Sequence, residues 1–112
     1  MRPISLCALA LLTACTGPLL QPVHCRISVE EFEGTSVFEA RISTPGALRG
    51  TFVFDVARRS NEVVLARQYG DVATAMAEEI SVGVIVLRGT TRSGLVPRLE
   101  VWGPDDSLIC AA

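Results

Sequence analysis

Four cysteines and one histidine are the side chains of this 112-residue sequence best suited to nucleophilic or metal chemistry. Catalytic dithiols usually lie close together, as in Cys-x-x-Cys, whereas Cys25 and Cys110 are 85 positions apart. A metal site needs several ligands that converge, and His24 stands alone at the start of a strand-like pattern, as a surface residue would. The sequence therefore predicts neither a metal centre nor a cofactor.

Three pairs of neighbouring acids, at residues 30–31, 78–79 and 105–106, are the candidates for a general acid and base. Neighbouring side chains on a strand point to opposite faces, so these pairs suit solvated turns and edges better than a catalytic pair. The sequence has no nucleophile-elbow motif, phosphate-binding glycine loop or dinucleotide fingerprint. We predict that the protein is not an enzyme and takes no small-molecule substrate.

The N-terminus has the composition of an export signal. A positive charge at Arg2 precedes a short apolar run over residues 4–12, which is too short to span a bilayer as a helix. The run ends in LTAC, residues 12–15, which resembles the lipobox of bacterial lipoproteins. We predict a signal peptide at residues 1–14 and lipidation of Cys15, and the alternative is ordinary cleavage with Cys15 removed or incidental. The expected location is the periplasm. Because Thr16 follows the cysteine, resemblance to lipoprotein sorting signals implies anchoring to the outer membrane.

Export also predicts the state of the other cysteines. Cys7 leaves with the signal and Cys15 carries the lipid, so Cys25 and Cys110 remain to pair in an oxidising compartment. Closing so long a loop is worth about 4–5 kcal/mol on the chain-entropy model. We expect this disulfide to have a structural role.

Charge and length restrict the class of partner. The chain has no lysine, and its ten arginines face twelve acids, for a formal net charge of −2. Nucleic-acid binding requires a basic surface, so we expect no nucleic-acid partner.

Residues 15–23 contain two prolines and are expected to form a tether, and residues 24–112 suffice for one small domain.

Alternating apolar and polar residues predict strands across this domain. The expected strands are residues 24–30, 38–43, 51–56, 63–69, 80–87, 97–102 and 107–110. About seven short strands at this spacing are typical of an all-β, immunoglobulin-like antiparallel sandwich. The predicted core consists of Ile27, Val29, Phe38, Ala40, Ile42, Phe52, Phe54, Val56, Val82, Val84, Val86, Leu99 and Val101.

Two segments have less regular patterns. Residues 80–87 are apolar on both faces, which predicts a central strand buried on both sides. Residues 71–79 are rich in helix formers. The sequence leaves open whether they form a short helix or an extended crossing between the sheets.

The centre of the domain resembles a known family. The stretch GTFVFDV at residues 50–56, the polar residues 58–62 and QYGDV at residues 68–72 are similar to the curli-system periplasmic inhibitors. This is the CsgC/CsgH group, and the similarity is to its CsgH branch. A Cys-x-Ile first strand at residues 25–27 and a late hairpin over residues 98–109 extend the resemblance.

The resemblance implies an exported immunoglobulin-like sandwich that keeps curli-type amyloid subunits from polymerising in the periplasm. Such a subunit would be the partner, and membrane contact would be limited to a lipid anchor. Two features depart from the family. The Cys-x-Cys motif of the CsgC branch is absent, so no redox role is implied, and a lipobox is unexpected in a soluble periplasmic inhibitor.

Polar residues between and along two of the strands are the candidates for contact with the client. They are Arg58, Arg59, Asn61, Glu62, Arg67 and Gln68. The alternative is that these side chains are the solvated side of a half-buried sheet. The corresponding alternative function is a lipid-anchored envelope interaction module with no anti-amyloid activity.

Overall fold

Alternating residues build seven strands in the computed structural model, which describes residues 22–112. The strands are β1 (His24–Phe32), β2 (Thr35–Thr44), β3 (Leu48–Arg58), β4 (Val64–Thr74), β5 (Glu78–Arg88), β6 (Leu95–Trp102) and β7 (Leu108–Ala111). A 3-10 turn at Arg92–Gly94 precedes β6. The predicted signal peptide, the lipidation site Cys15 and most of the tether lie outside the described residues. Across residues 22–112, no helix is long and apolar enough to cross a bilayer.

The strands form two antiparallel sheets that pack face to face. One has the order β1-β2-β5, and the other has the order β4-β3-β6-β7. Immunoglobulin constant domains place the fourth of seven strands beside the fifth, whereas β4 here pairs with β3. The predicted all-β sandwich of seven strands is therefore confirmed, with the fourth strand moved to the other sheet.

The inward faces of the strands form one apolar core. Its fully buried side chains include Phe38 of β2 and Phe54 of β3, which come from opposite sheets. The predicted core residues Ile27 and Val29 are only half-buried, because β1 is an outer strand, although both pack against the core. Buried residues that are absent from the predicted core list are Leu48, Val72, Ile85 and Leu95.

The prediction for β5 was wrong. This strand lies at the edge of its sheet, beside β2 alone, and the side chains of Val84 and Val86 are 45% and 52% exposed. The edge position follows from the strand order, and the exposure of the two valines follows from an irregularity in the β2–β5 register, where β5 has one extra residue, Val82. A β-bulge of this kind reverses which residues face the core, so Ile85 is buried in place of the two valines.

Residues 71–79 contain no helix, so the extended crossing was the correct alternative. Strand β4 continues to Thr74, the chain bends over residues 75–77, and β5 begins at Glu78. The residues that favour a helix are too few to outweigh the pairing that both flanking strands gain.

Cys25 and Cys110 form the predicted disulfide. Their Cα atoms are 5.6 Å apart, which is the usual separation for this bond. Strand β1 carries Cys25 and strand β7 carries Cys110, and these are the outer strands of opposite sheets. The bond therefore joins the two sheets along one side of the sandwich.

Candidate functional site

A row of three charged residues crosses the outer face of the four-stranded sheet. The register places Asp55 of β3 opposite Arg67 of β4 on one side and opposite Arg98 of β6 on the other. Asp55 alternates with Phe54 and Val56, whose side chains fill the core, so its carboxylate projects from the outer face. Three strands thus bring together residues that are far apart in the sequence.

The carboxylate of Asp55 is covered by the arginines that bind it. Asp55 is 2% exposed, and its Oδ2 accepts hydrogen bonds from Nη2 of Arg67 (3.4 Å) and Nη2 of Arg98 (3.3 Å). Half or more of each arginine side chain is exposed. A guanidinium has five N–H donors, so one shared oxygen leaves most donors of both arginines available to a ligand.

A shallow groove of about 540 Å³ lies beside this row. We call it the arginine groove, and its lining residues are Asp55, Ala57, Arg58, Arg59, Glu62, Val64, Val96 and Arg98. Together with Arg67, the groove has four arginines against two carboxylates. The surface is locally positive, although the whole chain has a net charge of −2. The arrangement favours an acidic or polar segment as its ligand.

A tight turn after β3 positions the residues at one end of the groove. The N–H of Glu62 donates to the carbonyl of Arg58 (2.7 Å), and the N–H of Arg58 donates to the carbonyl of Val63 (2.8 Å). Glu62 has a φ of 60°. Oδ1 of Asn61 accepts a hydrogen bond from the N–H of Val63. Asn61 therefore supports the turn, while Arg58 and Glu62 line the groove.

Arg59 lines the groove but also has a structural role. Its Nε donates to the carbonyl of Ser93 (3.0 Å), and its Nη2 donates to the carbonyl of Leu95. These bonds connect the turn after β3 to the start of β6. Arg58 is consequently a better probe of ligand binding than Arg59, whereas Arg98 also binds the nearly buried carboxylate of Asp55.

Gln68 lies apart from the other predicted contact residues. Its Nε2 donates to the carbonyl of Val84 in β5, at 2.8 Å. This bond joins the two sheets on the side of the sandwich opposite the disulfide. The structure thus brings Arg58, Arg59, Glu62 and Arg67 together and leaves Gln68 outside the arginine groove.

The prediction missed Asp55 and Arg98 as members of this site. Asp55 follows the alternation of β3, and its position among polar residues of the outward face was the available signal. Arg98 could not be placed beside it from the sequence, because their pairing depends on strands 43 residues apart. Register between distant strands is not encoded in any short motif.

A second charged cluster lies on the outer face of the three-stranded sheet. Arg26 and Arg41 pair with Glu79, and Arg41 also pairs with Glu39. A hydrogen bond from Ser81, together with the charge of Arg41, lowers the pKa of the Glu39 carboxyl. Glu79 and Glu39 raise the pKa of Arg41. Two arginines and two glutamates balance one another here, so this cluster is a weaker candidate for ligand binding.

The described part of the chain contains no cluster of metal-ligating side chains. In residues 22–112, no three His, Cys, Asp or Glu side chains are grouped in a way that could hold an ion. The prediction that the protein is not an enzyme stays a prediction.

Comparison with solved structures confirms the predicted resemblance at the level of the fold. The chain is similar to CsgH of R. palustris, with 19% identity, a TM-score of 0.56, and coverage of 80% of this chain and 89% of that one. It is also similar to the E. coli curli protein CsgC, with 5% identity, a TM-score of 0.51, and coverage of 80% and 95%. The chain therefore has the fold of these two proteins over nearly their whole lengths.

The same fold also occurs as one part of a larger protein. A glycosyl hydrolase family 2 member from Bacteroides cellulosilyticus matches with 9% identity and a TM-score of 0.52, over 83% of this chain but 15% of that one. No family model and no curated protein matches the sequence. This sandwich fold thus occurs in proteins of very different size, and the fold alone does not specify a function.

Proposed function

We propose that the chain is an exported member of the CsgC/CsgH group that delays the polymerisation of curli-type amyloid subunits. The observation that carries the proposal is the shared fold with CsgH over 89% of that protein. It agrees with the resemblance of residues 50–72, which was found from the sequence alone. Six of the eight residues that line the arginine groove belong to this stretch, and the other two lie on β6.

The groove suits a weak and reversible interaction with a disordered client. Its arginines are exposed, so each charge pair with a client would be worth about 1 kcal/mol or less. Several such contacts would slow the ordering of a subunit without holding it permanently. Because exposed charges are screened beyond about 8–10 Å at physiological ionic strength, the effect should weaken as salt rises.

The proposed location is the periplasm, with Cys15 as a lipid anchor to the outer membrane. The predicted signal peptide at residues 1–14 and the LTAC sequence support this proposal. The anchor is tested by measuring the intact mass of the protein purified from the cell envelope, since acylation adds a defined mass to a chain that begins at Cys15. A mature chain that begins after residue 15 would contradict the anchor but not the fold or the client.

The function is tested by a thioflavin time course of a curli subunit with and without the purified domain. We expect a longer lag at well below one inhibitor per subunit, and a smaller effect at high salt. A folded domain that leaves fibre growth unchanged at equimolar concentration and low salt would contradict the proposal. That result would favour the envelope interaction module.

Matched arginine substitutions locate the contact. With Arg58→Ala or Arg98→Ala, the lag should be shorter than with the unsubstituted domain. The folding of Arg98→Ala has to be checked by its melting temperature, because Asp55 would keep only Arg67 as a partner. Arg49→Ala is the control, because Arg49 is an exposed residue of β3 that lies six positions from Asp55 on the same face of the sheet. It removes the same charge outside the groove. Equal losses in all three variants would indicate a net-charge effect and argue against the groove.

A further inference from the structure

Strand β5 has one side that is open for pairing. It pairs with β2, and the N–H of Gly89 donates to the carbonyl of Gly34 on that side, at 2.9 Å. The carbonyl of Val84 points the other way, toward Gln68. Because backbone groups of a strand alternate between its two sides, the N–H and C=O groups of Val86 and Arg88 also point away from β2. Among residues 22–112, no strand pairs with this side of β5.

The sequence of β5 is of the kind that adds strands readily. Residues 80–87 read ISVGVIVL, without a charge or a proline and rich in β-branched residues. Such segments are typical of cross-β assemblies, particularly when they lie on a sheet edge. The outward side chains of Val84 and Val86 are about half exposed, and the charged residues Glu79 and Arg88 flank the segment.

The other edges have features that oppose pairing. Strand β1 has three charged residues, β7 has only four residues, and β4 has the charged residues Arg67 and Asp71, and charges and short edge strands both oppose pairing. In β6, the N–H and C=O groups of Leu99 both form hydrogen bonds with Ala112. The backbone of Pro97, two residues earlier, therefore faces the same edge, and proline has no N–H to donate there. Between Val84 and Leu87, β5 has no such feature.

We propose that the edge of β5 from Val84 to Arg88 accepts an extended, uncharged segment of the amyloid subunit as an added strand. This inference rests on the proposed function, which supplies the client. Amyloid subunits grow by pairing strand edges with uncharged β-forming side chains, and the β5 edge offers the same backbone groups beside exposed valines. The edge would bind the subunit mainly through main-chain hydrogen bonds. These bonds supply the affinity in strand addition, so the client needs no long sequence motif.

The geometry of the edge explains why a captured segment would not continue into a fibre. Gln68 occupies the carbonyl of Val84, and the chain turns away at Gly89, which has a φ of 74°. The accepting stretch is therefore short. The bulge at Val82 also increases the local twist, whereas a cross-β stack has to be nearly flat.

Amide hydrogen exchange on the unsubstituted protein tests the pairing directly. The amides of Val86 and Arg88 face the open edge and should exchange rapidly in the free protein. With an excess of monomeric curli subunit, both should slow by about tenfold or more, because they enter new hydrogen bonds. The amide of Leu87 faces β2 and is the internal control, since its exchange should be slow in both states.

Two variants at one position separate backbone pairing from side-chain contact. Val86→Ala and Val86→Pro both remove the valine side chain, but proline also removes the outward N–H. The alanine variant should retain most of the subunit-dependent protection at Arg88, and the proline variant should lose it. Gln68→Ala frees the carbonyl of Val84 and should bind the subunit at least as tightly as the unsubstituted protein.

The outcomes distinguish this inference from the proposed function. An increased lag without protection at Val86 and Arg88 would overturn strand addition and leave the inhibitor proposal standing. Protection without an increased lag would support strand addition and contradict inhibition. Protection that appears without the subunit and doubles the molecular mass would show that a second copy of the chain occupies the edge, which would also overturn the inference.

Discussion

Reduction of the disulfide between Cys25 and Cys110 should remove a large part of the stability of the domain. The bond closes a loop with a sequence separation of 85, for which the chain-entropy model gives about 4–5 kcal/mol at 25 °C. A small domain is typically stable by about 5–15 kcal/mol in total. The reduced protein should therefore be marginal at physiological temperature, and β7 should fray first, because it pairs with β6 through few residues.

Guanidinium unfolding of the same chain, oxidised and reduced, measures this loss without changing a side chain. The midpoint should fall on reduction, and the slope with denaturant should rise, because the denatured state loses a cross-link that keeps it compact. The double variant Cys25→Ala/Cys110→Ala should resemble the reduced protein and should not respond to reductant. A loss below about 1 kcal/mol would refute the loop-closure argument. Reaction of both Cys25 and Cys110 with a thiol reagent in the untreated native protein would refute the bond itself.

Three further predictions concern the core, a close backbone approach and acid stability. Phe54→Ala should destabilise the domain by about 3–5 kcal/mol in chemical unfolding, because this fully buried ring would leave a cavity. Gly50→Ala should lower the melting temperature, since a Cβ would overlap a backbone carbonyl of β6. Gly46→Ala is the control and should be nearly neutral, because its Cβ would meet no atom within 4 Å. Equal changes in melting temperature for the two variants would contradict this packing. Because the pKa of Glu39 lies below its ordinary value of 4.5 in the folded protein, its carboxylate contributes stability at neutral pH that is lost as the pH falls through 4.5 and below. Glu39→Gln should therefore lose less stability than the unsubstituted protein between about pH 6 and about pH 3, and parallel melting profiles would contradict the role of this carboxylate.

Much of the sandwich could be predicted because most strands alternate cleanly. In β3 the large apolar residues Phe52, Phe54 and Val56 share one face, and the polar residues Thr51 and Asp55 lie on the other, so the inward face was evident from local sequence. Strand β5 lacks this contrast, since both of its faces are apolar. When both faces are apolar, the sequence does not show where a bulge reverses them. Val84 and Val86 were therefore assigned to the core, although their side chains lie on the outer face.

Strand ends and the site were less predictable for physical reasons. The predicted strand 63–69 ends before Gly70, yet Gly70 lies within β4, where a Cβ would press against the ring of Phe52. The polar residues near the arginine groove could be recognised as candidates. Their grouping could not, because Asp55 meets Arg98 through the register of β3 and β6, and Gln68 turns to the opposite sheet.

The position of the disulfide also determines how the domain would respond to mechanical tension. A pull applied through residues before Cys25 and after Cys110 would pass straight across the bond between the first and last strands. The chain between them would carry no load and could not be drawn out. After reduction, the same pull could extend the 85-residue separation to about 300 Å. The oxidised domain is thus a short, inextensible link, and its length under force depends on the redox state of one bond.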